Sequence, residues 1–212
     1  MDVDEAARSR RMVRSFSDRP VPAQVLERLL HAALRAPTAG NSRGTAWVLL
    51  QGTEETSRYW SAATTDAWRA TSARWSGLSR APAVAVSVAS PAAYVARYGE
   101  PDKVRAAADL GLGASDAAWS VPYWFGDAAF GVMTLLLGAT AEGLGGCFLG
   151  NFRREHEVLI ALDVPAGWRL FGAVALGYPA GDDRRSSSLD RPGPDSGARL
   201  HLGRWAGPHG PH

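Results

Sequence analysis

The chain has 212 residues, 46% of them hydrophobic and 21% charged, with 23 Lys+Arg against 21 Asp+Glu and a formal net charge of +2. This balance excludes a mostly disordered or collagen-like chain and leaves enough length for one sizeable core. The charges nearly cancel, so no nucleic-acid footprint is expected. The single cysteine, Cys147, excludes an intrachain disulfide framework and a cysteine-based zinc cluster.

Residues 3–13 predict a short helix ending in the basic cluster SRRMVR, followed by an extended, proline-punctuated link, FSDRPVP. The opening MDVDEAARSRR holds no apolar run of signal-peptide type, so a cytoplasmic protein is expected. Pro22 suits a first helical turn. From there Val25, Leu26, Leu29, Leu30, Ala33 and Leu34 recur at helical spacing until Pro37 stops the helix. The loop PTAGNSRGT is small, polar and glycine-bearing, so its backbone can approach a ligand closely. AWVLLQ (46–51) reads as a buried strand, and 53–75 as helical, with Trp60, Trp68 and Trp75. APAVAVSVA (81–89) reads as a strand covered on both faces. Residues 99–121 show no clear period, and 53–120 as a whole is expected to be a variable excursion or lid.

Residues 123–142 are the most apolar long segment. Leu135, Leu136 and Leu137 in a row leave no polar face, so this helix belongs in a domain centre or a subunit interface. Gly143 is its expected cap. The apolar run Ala128 to Ala141 is shorter than the roughly 20 residues of a membrane span, and no membrane partner is expected. GGCFLGNF reads as a short strand and turn, 153–162 as a surface helix and RLFGAVALGYP (169–179) as a buried strand. A Gly-, Pro-, Ser- and Arg-rich arm, 180–212, follows. The order predicts a single α+β domain over 1–212, with helices on a central sheet.

Three segments stand out chemically. Arg10, Arg11 and Arg14 repel one another unless an anion or water lies between them. Every basic residue but Lys103 is an arginine, so a bound phosphate would meet guanidinium forks; a solvated basic face is the plain alternative. The loop Pro37–Ser42 is either a helix-to-strand connection or a donor set for a flat polar heterocycle, with Asn41 supplying an amide. The segment 143–152 is glycine-rich but leaves a helix and enters a strand, the reverse of a Rossmann loop. No GxxxxGK[ST] motif is present. Cys147, in an apolar setting, reads as a buried inert thiol. The five histidines form no HExxH pattern, and no metal is expected.

RRMVRSF, PVPAQVLERLLHAALRAPTAGN, DAAFGVMTLLLGATAEGLGGCFLGNF and GAVALGYPA, in that order over residues 8–52 and 121–180, resemble the FMN-dependent nitroreductase family. The resemblance implies a nitroreductase-like fold with a mostly antiparallel central sheet flanked by helices. It also implies an intertwined homodimer with FMN at the interface. NAD(P)H would be the electron donor, and nitroaromatic, quinone or similar planar acceptors would be reduced in alternating half-reactions. Flavin N5 would carry the chemistry, with no catalytic side chain required. Arg10 and Arg11 would meet the ribityl phosphate and ring edge, and Arg14 the N1–O2 edge, where a fixed cation stabilises reduced flavin. Thr38, Ala39 and Asn41 would come from the partner subunit. Phe148 and Leu149 would pack on one face of the ring, and the Gly150 and Asn151 N–H groups would point at N5 and O4. Arg191 is favoured as a late phosphate ligand over Arg184 and Arg185.

Arg43, Tyr123, Trp124 and Phe125 are expected at the substrate pocket, the aromatics favouring planar molecules. The family often has Gln, Pro and Trp after the loop asparagine; here Arg43, Gly44 and Thr45 stand there. That departure, with the aromatic run, leaves open an FMN-dependent oxidase, dehydrogenase or dehalogenase of a specialised substrate. The thin set of basic residues near the C-terminus leaves open a non-catalytic flavin-binding dimer.

Overall fold

The computed structural model describes residues 1–107, 110–151, 153–184, 186–191 and 199–205. Within them, strands β1 (Thr45–Gln51), β2 (Ala83–Ala89), β3 (Gly145–Leu149) and β4 (Arg169–Gly177) form an antiparallel sheet in the order β1-β2-β4-β3. This is the expected α+β class. β2 is buried along its whole length, as its small apolar sequence requires. Val84, Val86 and Val88 face one core with Leu170, Ala173 and Ala175; Ala83 and Ala85 face the other with Val174 and Leu176. Leu170 and Val174 are an even number apart yet sit on opposite faces. The β2–β4 register steps between Ser87 and Val88 and passes over Phe171, a bulge that reverses the alternation.

The helices are α1 (Val3–Ser9), α2 (Ala23–Ala33), α3 (Gly52–Ala63), α4 (Asp66–Thr71), α5 (Trp75–Leu78), α6 (Pro91–Tyr98), α7 (Pro101–Ala107), α8 (Tyr123–Ala141) and α9 (Glu155–Ala161). The apolar stripe of α2 packs Leu26, Leu29 and Leu30 with Val132, Leu135 and Leu136 of α8 on one face of the sheet. Tyr59 and Trp60 of α3 and Val158 of α9 pack on the other. A satellite cluster joins Ala89, Tyr94, Trp119 and Trp124. Gly143 closes α8 at φ 71°, with Leu144 N donating to Ala139 O at 2.8 Å, the expected left-handed cap. At 19 residues α8 is long and apolar enough to cross a membrane by length and composition. Here it is the central helix, packed on α2 and on the sheet. Phe130 (54% exposed) and Met133 (42%) remain on its outer side.

Three expected segments differ in detail. The first helix stops at Ser9, because Arg10 turns out to ψ 126° and residues 12–17 run on as an extended segment. The helix expected over 53–75 breaks at Thr64. Thr65 then caps α4, its hydroxyl accepting from Trp68 N at 3.2 Å. Inside the expected excursion α6 forms behind Ser90, whose hydroxyl accepts from Ala93 N, with Pro91 in its first turn.

The extended segment docks on β3. Met12 pairs with Gly146 in a parallel bridge, and Val13 N donates to Gly146 O at 3.0 Å. A Cβ on Gly145 would lie 2.5 Å from Val13 Cγ2, so the contact needs glycine there. Gly145→Val is expected to cost about 1–3 kcal/mol through overpacking, read as a lowered urea midpoint. A wild-type midpoint would show that residues 12–13 do not press on β3.

Candidate functional site

The N-terminal arginines sit where that extended segment leaves β3. Arg11 pairs with Asp183, whose side chain is only 1% exposed. The same carboxylate accepts from the main-chain N–H of Arg14 at 2.8 Å and of Ser15 at 2.9 Å. The anion beside Arg11 is therefore the protein's own carboxylate, while the Arg11 side chain stays 35% exposed. Arg14 rests its guanidinium on Met12 O at 3.3 Å. Among the described residues neither Arg10 nor Arg14 has an ion-pair partner. Burial pushes the Cys147 thiol up, and the nearby Arg14 and Arg74 guanidiniums oppose this more weakly. A buried, protonated thiol agrees with the inert reading of Cys147.

The end of β3 opens on a cavity of about 800 Å³. Leu149, Gly150 and Asn151 line it, together with Tyr59, Trp60, Trp68 and Arg74 from the stretch 53–75. The Tyr59 hydroxyl donates to Asn151 Oδ1 at 3.0 Å. Burial pushes the Tyr59 phenol up, so it stays protonated and holds this bond. With its oxygen engaged, the Asn151 amide keeps its NH₂ for another acceptor. The Trp60 indole N–H is buried without an acceptor. Strand alternation splits the pair expected on one ring face: Leu149 packs with the α3 side, while Phe148 stacks on Phe171 at 5.4 Å on the α8 side.

The loop after α2 lies in a second cavity of about 540 Å³, lined by Arg35, Thr38, Asn41 and Arg43 among others. A 3-10 turn, Ala39–Asn41, shapes it. Gly40, Asn41 and Arg43 have φ of 61°, 57° and 52°, a left-handed cluster that costs energy at the two non-glycine residues. Two groups hold it. Buried Asp127 of α8 accepts from Ala39 N at 2.8 Å and from the Tyr94 hydroxyl at 2.7 Å. Arg97 of α6 donates to Gly40 O at 2.8 Å. Arg43 turns back on the loop, its N–H on Thr38 Oγ1 at 3.0 Å and its Nε on Asn41 Oδ1 at 3.2 Å. Within one chain, then, the loop and the end of β3 border different cavities.

The aromatic run at the start of α8 divides three ways. Trp124 is buried with Tyr94 and Trp119, 6.1 and 6.2 Å between centroids. Helical spacing turns it inward toward α6, where it packs as a core residue. Tyr123 is exposed at the edge of Trp119. Phe125 is half-buried and continues the stack through Phe171 at 6.0 Å. Among the late arginines, Arg191 is exposed just past the 3-10 turn Ser187–Asp190. Arg184 is exposed and directly follows Asp183, the carboxylate that grips Arg11. Arg185 lies outside the described residues.

Sequence reasoning passed over Asp127, Asp183, Tyr59 and Arg74. Asp127 carried a signal, as the one charged residue within the apolar stretch that became α8. Asp183 carried none, since its partners are 168 to 172 residues away.

An antiparallel sheet backed by a central apolar helix, with an arginine segment docked on β3, makes up an α+β fold. The chain belongs to the nitroreductase family, whose sequence pattern matches residues 7–178. A protein of Archaeoglobus fulgidus named "Putative NADH dehydrogenase/NAD(P)H nitroreductase" is 26% identical over 202 residues, 93% of this chain and 95% of its own. A nitroreductase family protein from Clostridium novyi NT has the same fold at a TM-score of 0.65 and 22% identity, over 88% of this chain and 89% of that one. An FMN-dependent nitroreductase from Clostridium difficile gives a TM-score of 0.64 at 18% identity, over 94% of this chain and 98% of that one.

Proposed function

We propose that this protein is an FMN-dependent oxidoreductase that uses NAD(P)H to reduce planar electrophilic acceptors such as nitroaromatics or quinones. The observation that carries the reading is the main-chain pairing of Val13 with Gly146. It ties the segment bearing Arg10 and Arg14 to the strand whose end, Leu149–Asn151, opens on the larger cavity.

The residues present fit a phosphorylated flavin. Arg10 and Arg14 offer guanidinium groups without ion-pair partners among the described residues, as a phosphate or an electron-rich ring edge requires. Trp60 holds a buried indole N–H without an acceptor, and Tyr59 orients the Asn151 amide. When bound, FMN supplies reversible two-electron transfer between NAD(P)H and the acceptor. The chain binds and orients: Arg14 holds negative charge, Asn151 offers its NH₂, and Leu149 with Trp60 keeps water from one wall. Thr38, Ala39 and Asn41 are proposed to reach the site from a second copy, since their own loop borders the other cavity. The exposed Phe130 and Met133 of α8 support such a homodimer.

An absorbance scan of the purified protein, with mass spectrometry of the released chromophore, tests this. FMN that bleaches anaerobically with NADH or NADPH is the expected result. A colourless protein that cannot be reconstituted contradicts it, and a yellow protein that neither donor reduces marks a binding protein instead. Arg14→Ala is expected to weaken FMN binding by about 10–100-fold, the loss of one charge-assisted contact, measured by flavin fluorescence titration. Wild-type affinity in that variant would remove Arg14 from the site.

A further inference from the structure

The cavity at the end of β3 has a wall whose charge the FMN reading leaves unused. Arg74, Arg153 and Arg154 line it, and among the described residues no carboxylate does. Arg154 is engaged, its Nε on Ala62 O and its Nη1 3.6 Å from Glu157. Arg74 and Arg153 have no ion-pair partner among the described residues. Trp60 and Trp68 line the same cavity, both in edge-on contact with Trp75, at 5.5 and 6.0 Å; Trp60 is buried and Trp68 is 40% exposed. Indole surface suits a flat ring. Uncompensated guanidinium groups draw anions into a cleft and repel cations, more strongly as a ligand displaces water. A neutral ring would use only half of this wall.

We propose that the acceptor taken by this site is a planar aromatic anion, its ring lying against Trp68 and its carboxylate meeting Arg74 and Arg153. The inference rests on the FMN-dependent reading above. For a nitroarene so held, the nitro group gains two electrons and loses one oxygen as water. NAD(P)H is oxidised to NAD(P)⁺ in the same turnover, and the additional proton comes from solvent.

The test is a tryptophan-fluorescence titration of the FMN-loaded protein with 4-nitrobenzoate and with nitrobenzene. Flavin content is measured first, so that a flavin-free protein, which would end the wider reading, is distinguished from a failure of this inference alone. The expected result is that 4-nitrobenzoate binds about tenfold or more tightly than nitrobenzene at low salt, the size of one charge-assisted contact. The double variant Arg74→Ala, Arg153→Ala should collapse that ratio, and Arg74→Lys, Arg153→Lys should recover most of it. The ratio of KM values in turnover should move in parallel. Equal affinities for the two probes would overturn the inference, as would a ratio that survives the double alanine variant. Loss of FMN from that variant would also overturn it, by assigning the two arginines to the cofactor.

Discussion

Asp183→Ala is expected to lower stability by about 3 kcal/mol, or about 6–12 °C in thermal midpoint for a chain of this size. The Asp183 carboxylate is 1% exposed and takes three donors: the main-chain N–H groups of Arg14 and Ser15, and the Arg11 guanidinium. Alanine leaves both N–H groups without an acceptor, and each costs about 1–3 kcal/mol where water cannot reach it. Arg11 adds less, because its side chain is 35% exposed and can turn to solvent. Asp183→Asn keeps one acceptor and should lose about half as much. The functional readout is FMN affinity, which should fall because Arg14 is placed by the backbone that Asp183 clamps. A destabilised variant with wild-type FMN affinity would confine Asp183 to the fold.

The second large effect is expected at Asp127. In Asp127→Ala the buried Tyr94 hydroxyl and the Ala39 N–H lose their shared acceptor, at about 2–4 kcal/mol. The helix preference of alanine returns only a few tenths of this. Urea unfolding should show a lower midpoint with an unaltered slope, as for a change in stability alone. Asp127→Asn keeps a carbonyl oxygen able to accept from both donors, so it should fall between the two. Because Ala39 opens the turn with left-handed Gly40 and Asn41, the alanine variant should also relax that loop. Protease nicking near residues 38–43 would report this, and unchanged nicking would show that Arg97 alone holds the loop.

The parts of the fold that were legible from sequence are those in which local composition decides. β2 reads as buried because all its residues but Ser87 are small or medium apolar ones, and α8 reads as central because its leucines leave no polar face. The Gly143 cap was equally local. What escaped depended on distant partners. The glycines of β3 stood out only as a glycine-rich segment; Gly145 is there so that Val13 can lie against the strand. Three neighbouring arginines looked alike, but a buried carboxylate 172 residues away took one of them. Trp124 looked like its exposed neighbour Tyr123 until α6, not foreseen, supplied Tyr94 for it to pack on. The stretch 53–75, expected as a helix within a variable excursion or lid, contributes Tyr59, Trp60, Trp68 and Arg74 to the larger cavity. The bulge at Phe171 has no composition signal of its own, since it is a matter of register between strands.

The proposed site for a phosphate-bearing flavin joins the arginine segment to the end of β3. Equilibrium titration of the apoprotein with FMN and with riboflavin tests it most directly, because the two differ only by the phosphate that guanidinium groups would grip. FMN should bind at least about tenfold more tightly, with one molecule per chain and a preference that shrinks as salt is raised. Equal affinity for the two flavins, or binding of neither, would contradict the account.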